Sequence, residues 1–165
     1  MYISTVLKDS GIHSVLVGGS CVSIYTSNQY QSYDLDFVSF DRLKDIKKAL
    51  ETVGFKYDAK KYFKHEDCDF FIEFVTPPVS IGSELVKDLH QIKSENGVIT
   101  LLSPTDCVKD RLAAYYHWND RESLEQALMV ANSQPVDLSV VEAWSKKENS
   151  LEKFKEFENR FLRRV

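Results

Sequence analysis

Apolar and polar positions change period several times along the chain, and each change marks an element. Tyr2 to Lys8 predicts a short helix ended by Asp9-Ser10-Gly11. His13 to Val17 is an apolar run with glycine on either side, which fits a buried strand. Ser20 to Thr26 predicts a helix whose first turn lies at Gly19-Ser20. Tyr33 to Phe40 alternates: Leu35 and Phe37 face one way, Asp34, Asp36 and Val38 the other. Asp41 is placed to cap a helix running through Val53, with Leu43, Ile46, Leu50 and Val53 at helical spacing and Gly54 as its stop. Tyr62-Phe63 and Asp69 to Val75 read as strands around a His65-Glu66-Asp67 turn, and Thr76-Pro77-Pro78 stops the second. Asp88 to Lys93 and Val98 to Leu102 form a hairpin pattern around Glu95-Asn96-Gly97, because Asn-Gly favours the primed turns.

After Ser103-Pro104 the period becomes helical throughout. Pro104 suits a first helical position, and Val108, Leu112 and Tyr115 lead toward His117. Arg121 to Ala131, Leu138 to Lys147 and Leu151 to Leu162 follow as further helices. The stripe Leu151, Phe154, Phe157 and Phe161 is a packing face, and Arg160, Arg163 and Arg164 suit the C-terminal end of that helix's dipole. The expected fold class is α+β: a small mixed sheet with flanking helices over residues 1–103, then a helical region over 104–165 packed on it.

Composition narrows the class. A chain of 165 residues, 43% hydrophobic and 28% charged, can bury a core and is neither disordered nor fibrous. Its net charge of -4 argues against binding extended duplex nucleic acid through a basic surface. Cys21, Cys68 and Cys107 are scattered, which points to reduced thiols in a cytoplasmic protein and away from a disulfide framework or a zinc site. Lys8 and Asp9 interrupt the apolar stretch at the N-terminus, so no signal peptide is expected. No segment reaches the ~20 apolar residues of a membrane span.

The chemistry lies in Asp34 and Asp36. Two residues apart on a strand, their carboxylates leave one face ~6.5–7 Å apart and repel unless cations lie between them. Glu73, a lone charge in Phe70-Phe71-Ile72-Glu73-Phe74-Val75, is the candidate third acid, since an ionised group there is costly unless charge faces it. Asp69 shares its strand face and could serve instead. Gly18 and Gly19 allow a phosphate close to the backbone, Ser20 offers a hydroxyl, and the helix behind them supplies unpaired N–H groups. Alone, Gly-Gly-Ser is an ordinary strand–helix turn and Asp-x-Asp a solvated strand face.

In succession, Gly18-Gly19-Ser20, then Asp34-Leu35-Asp36 and a downstream apolar strand bearing Glu73 resemble the nucleotidyltransferase superfamily that includes DNA polymerase beta. Leu102 to Asp106, Arg111-Leu112 and Asn119-Asp120 look like the start of the helical part in stand-alone bacterial members of the abortive-infection and toxin–antitoxin kind. The resemblance implies a nucleotidyltransferase core that moves a nucleoside monophosphate from a nucleoside triphosphate to an unidentified hydroxyl acceptor: a protein, an RNA end or a small molecule. Two Mg²⁺ or Mn²⁺ ions would be held by Asp34, Asp36 and Glu73. The nucleotide would be lined by Gly18, Gly19 and Ser20, by Arg111 or Lys109, and by Asp120. An antitoxin-like protein partner is also implied. The superfamily's third acid is often Asp and its helix often carries Lys where this chain has Arg111, a planar fork instead of a point charge.

Other readings compete. The chain could keep the fold as an inactive binding or adaptor module, although a retired site gains stability by losing clustered charges. Asn119 or Asp120 could simply cap the next helix, with His117 and Trp118 packing at the junction. Arg111 and His117 echo a ribonuclease pair but fall roughly 120° apart on a helix. His65 to Asp69 reads as a polar turn, and Tyr25, Tyr30 and Tyr33 as core or rim residues, one of which could stack on a base.

Overall fold

The computed structural model describes residues 1–163 as one mixed sheet wrapped by helices. In chain order the N-terminal part contains α1 (Tyr2–Asp9), β1 (Val15–Val17), α2 (Gly19–Tyr25), β2 (Asp34–Val38), α3 (Leu43–Glu51), β3 (Lys56–Tyr57) and β4 (Tyr62–His65). There follow β5 (Cys68–Val75), β6 (Ser80–Ile81), β7 (Glu84–Leu85), β8 (Leu89–Ser94) and β9 (Gly97–Leu102). Four helices complete it: α4 (Pro104–Trp118), α5 (Arg121–Ser133), α6 (Leu138–Lys147) and α7 (Leu151–Leu162).

Seven strands form the sheet in the order β3-β4-β5-β2-β1-β9-β8, while β6 and β7 pair separately. The centre carries the parallel contacts, β2 with β5 and β1 with β9, and β1 runs antiparallel to β2. Leu16 pairs with Phe37 and with Leu101, and Leu35 with Ile72, so these side chains share a face. That face is the apolar one: Leu16, Phe37, Ile72 and Leu101 are fully buried, and α1 and α2 border the same cavity as Leu16, Leu35, Phe37 and Ile99. The opposite face carries Val17, Asp36 and Glu73 in line across three strands.

Two expectations are corrected. Asp41 does not cap α3: Arg42 holds that position with no side-chain bond, and Asp41 Oδ2 instead accepts from the His13 N–H at 2.8 Å and the Ser39 hydroxyl at 3.2 Å. His13, whose N–H makes that bond, lies outside β1, which starts at Val15. β3, β6 and β7 are two-residue strands too short to show a period. The expected start of α4 is observed: Ser103 Oγ accepts from Asp106 N at 3.1 Å with Pro104 in the first turn.

The C-terminal helices continue the core without a break, burying Cys107, Val108, Leu112, Leu124, Leu128, Trp144, Phe154 and Phe157 in the same apolar cluster as Leu16 and Phe37. Phe154 and Phe157 are covered, so their stripe is packing surface. Arg160 pairs with Glu125, and Arg164 lies outside the described residues. Among the described residues no helix is long and apolar enough to cross a membrane.

Candidate active site

The parallel register of β2 and β5 sets Asp36 directly beside Glu73 and Asp34 beside Phe71. Because side chains alternate, Asp34, Asp36, Phe71 and Glu73 all leave the face opposite the apolar core. Asp69 precedes the paired stretch, which begins at Phe71, so Glu73 is the β5 acid next to Asp36. Asp34 and Glu73 are exposed and Asp36 is half-buried.

The glycine turn closes on the same spot. Val17 pairs with Asp36, and Gly18 follows at φ +71, where a Cβ would stand 2.6 Å from Asp36 Oδ2. A side chain at this position would be strained by the backbone and would strike the carboxylate. Gly18 and Asp36, with Asp110 and Arg111 of α4, border one cavity of about 270 Å³. Ser20 is placed differently from expectation: it is buried, and its hydroxyl donates to the Asp34 carbonyl oxygen at 2.5 Å. It thus fastens α2 to β2.

The three expected groups of the helical part separate. Arg111 comes to the acids, close enough that its charge acts on Asp36. Its Nε and Nη2 donate to Asp110 Oδ2 at 3.0 and 2.5 Å. Lys109, two positions back on the helix, points elsewhere. Its side chain is 4% exposed, and its ammonium is held by Glu84 at 2.9 Å and Asp106 at 3.0 Å, beside a different cavity. Asp120 caps α5: Oδ1 accepts from the Glu122 and Ser123 N–H groups and Oδ2 from the Ser123 hydroxyl. His117 faces Glu148 at 3.5 Å, so it does not meet Arg111.

Electrostatics single out Asp36. Burial, reinforced by the Glu73 and Asp34 carboxylates, pushes its carboxyl up from 3.8 to about 6, with Arg111 acting in the opposite direction. Three carboxylates on one sheet face, with a guanidinium acting on the central one, are an all-oxygen donor set that suits a hard divalent cation. Among the described residues no three acidic, His or Cys side chains already close around one point. Holding a shared ion would therefore require the exposed Asp34 and Glu73 side chains to turn toward Asp36. Beside them, Asp34, Glu73, Tyr62 and Phe71 line a shallow concavity of about 190 Å³, with the two rings edge to face at 5.3 Å.

Asp110 and the aromatic pair were missed by sequence reasoning. Asp110 looks like one more charge on an amphipathic helix, and Tyr62 gains its place only by pairing with Glu73 across β4 and β5. The even spacing of Phe71 from Glu73 was the available signal.

No protein-family profile matches the chain, and no curated protein does. Solved structures do. It is similar to the solution structure of the antibiotic-resistance factor ANT(2'')-Ia, with a TM-score of 0.56 and 13% identity, covering 94% of each chain. It is also similar to the crystal structure of ANT(2'')-Ia in complex with adenylyl-2''-tobramycin, with a TM-score of 0.52 and 12% identity, over 97% of this chain and 95% of that one. At such identity the likeness carries the fold, which is nucleotidyltransferase-like.

Proposed function

We propose that this chain transfers a nucleoside monophosphate from a nucleoside triphosphate to a hydroxyl acceptor. The observation that carries the reading is the register of β2 and β5, which sets Asp36 against Glu73 where the Gly18 turn touches the same carboxylate. Backbone N–H groups at the start of α2 would bind the outer phosphates, and the Arg111 guanidinium would offset charge on the departing pyrophosphate. The acceptor oxygen attacks the α-phosphorus, the bond to the β-phosphate oxygen breaks, and Glu73 takes the hydroxyl proton. Asp34, Asp36 and Glu73 are the residues that would hold Mg²⁺ or Mn²⁺, which when bound supplies charge neutralisation at the attacking and leaving oxygens.

The acceptor would approach over Asp34, Glu73, Tyr62 and Phe71. Two carboxylates and two aromatic faces favour a hydroxyl compound carrying positive charge over an anionic polymer. The neighbouring ANT(2'')-Ia crystallised with an adenylylated compound, tobramycin, which makes a small-molecule acceptor the first to try. A silencing partner of the antitoxin kind is proposed on the sequence resemblance alone.

Incubation with each labelled ribonucleoside triphosphate, Mg²⁺ or Mn²⁺ and an acceptor panel should label one acceptor class. Asp34→Asn and Asp36→Asn should each lower transfer by at least about a hundredfold while keeping the fold by circular dichroism. Unchanged transfer in both variants rejects the mechanism. Binding of triphosphate without transfer to any acceptor would favour the adaptor reading.

A further inference from the structure

Behind Arg111 runs a polar chain that the transfer chemistry leaves unused. Gln126 of α5 is 5% exposed, among Leu124, Ala127, Leu128 and Val130, which are fully buried. Its Oε1 accepts from Arg111 Nη1 at 3.3 Å, and its Nε2 donates to Glu122 Oε1 at 3.3 Å. A guanidinium only donates and a carboxylate only accepts, so the amide satisfies both neighbours in one orientation alone. A buried amide left unpaired would cost stability, and here both ends are used.

Asp110 also grips Arg111, but it is the adjacent residue on the same helix and fixes the guanidinium only relative to itself. Gln126 is the group on another helix that locates it. With Nε and Nη2 on Asp110 and Nη1 on Gln126, three of the five guanidinium N–H groups are spoken for, which leaves two for a ligand. The far end of the chain lies toward the glycine turn: the Glu122 carboxylate is near enough to act on the Tyr30 hydroxyl, and Tyr30 Cε1 is 3.5 Å from where a Gly19 Cβ would stand.

We infer that Gln126, its amide oriented by Glu122, is a positioning residue that aims the free N–H groups of Arg111 at the outer phosphates of the bound triphosphate. The inference rests on the nucleotide-transfer reading. It makes the α4–α5 packing part of nucleotide recognition, and it separates triphosphate from monophosphate, because the latter has no outer phosphates for Arg111 to meet.

Calorimetry on the full chain tests it, taking the tightest of the four ribonucleoside triphosphates with Mg²⁺ and the matching monophosphate. Gln126→Met, similar in volume and apolar at its end, should weaken triphosphate binding about tenfold, leave monophosphate binding unchanged and raise KM more than it lowers kcat. In an Arg111→Ala background, Gln126→Met should have no further effect, because its influence passes through the guanidinium. If Gln126→Met proves poorly folded by thermal melting, Glu122→Ala, an exposed position, should show the same selective loss at smaller size. Triphosphate affinity unchanged in these variants, equal loss for both nucleotides, or additive effects with Arg111→Ala would overturn the inference and leave the transfer reading standing. Wild-type protein that binds no triphosphate at all would defeat both.

Discussion

Asp36 holds its proton more tightly in the folded chain than in the unfolded one, since its carboxyl moves from 3.8 to about 6 on folding. Between those values the folded state carries the extra proton. Asp36 therefore contributes stability that is complete below pH 3.8 and lost as pH rises through about 6. At pH 8 the charged form is a liability whenever no cation offsets it. Asp36→Asn, assayed in a chelator, should accordingly be more stable than wild type by roughly 1–2 kcal/mol at pH 8, a value discounted for the partial solvent screening of a half-buried group. The gain should shrink toward zero by about pH 4. Chemical denaturation at the two pH values decides it, and a wild type that is the more stable at pH 8 would refute the account. The liability was visible beforehand because alternation put Asp34 and Asp36 on one face and Glu73 stood alone among aromatic neighbours. The role of Ser20 was not, because a hydroxyl at a helix start can bond a ligand or a neighbouring strand equally well, and only the approach of β2 decides.

At the scale of elements, the join between α4 and α5 illustrates how one residue can be read in two ways. Asn119 adopts a left-handed conformation at φ +54 and ends α4, and Asp120 then receives three donors from the first turn of α5. A carboxylate so engaged has little left for a nucleotide. Asp120→Ala should cost about 1 kcal/mol of stability, and Asp120→Asn, which caps as well, only a few tenths. Neither should alter the KM for triphosphate. A rise in KM with Asp120→Asn, at unchanged melting temperature, would restore a cleft role. Long periodic elements such as β2, β5 and α4 to α7 were legible because burial imposes a period on many residues at once. β6 and β7 were not: two residues carry no period, and they are held by partners distant in sequence, Ile81 through its carbonyl to the Trp144 indole and Glu84 through Lys109 and Lys147. The separation of Lys109 from Arg111 was legible, since two residues apart on a helix face nearly opposite ways.

At the scale of the whole molecule, the period changes after Ser103, and contacts tie the helical region 104–165 to the sheet region 1–103. Tyr25 of α2 is 3% exposed, and its carbonyl accepts from Gln134 at the end of α5. Cys21 and Val22 have no exposed surface, and they lie in the same apolar cluster as Cys107, Val108 and Leu112. Removing α4 to α7 would uncover this side of α2 and strip the Trp144 bond from Ile81. Several fully buried side chains would then meet water, at about 1.5–3 kcal/mol each, against a total stability of about 5–15 kcal/mol for an ordinary domain. Residues 1–103 expressed alone should therefore be collapsed without fixed packing, giving a poorly dispersed amide spectrum and binding a hydrophobic dye. The full chain should give sharp dispersion and one cooperative melt. A fragment with a dispersed spectrum and its own melting transition would show an autonomous sheet domain. Because Arg111 reaches the acids from the helical part, the same contacts that complete the core would also complete the proposed site.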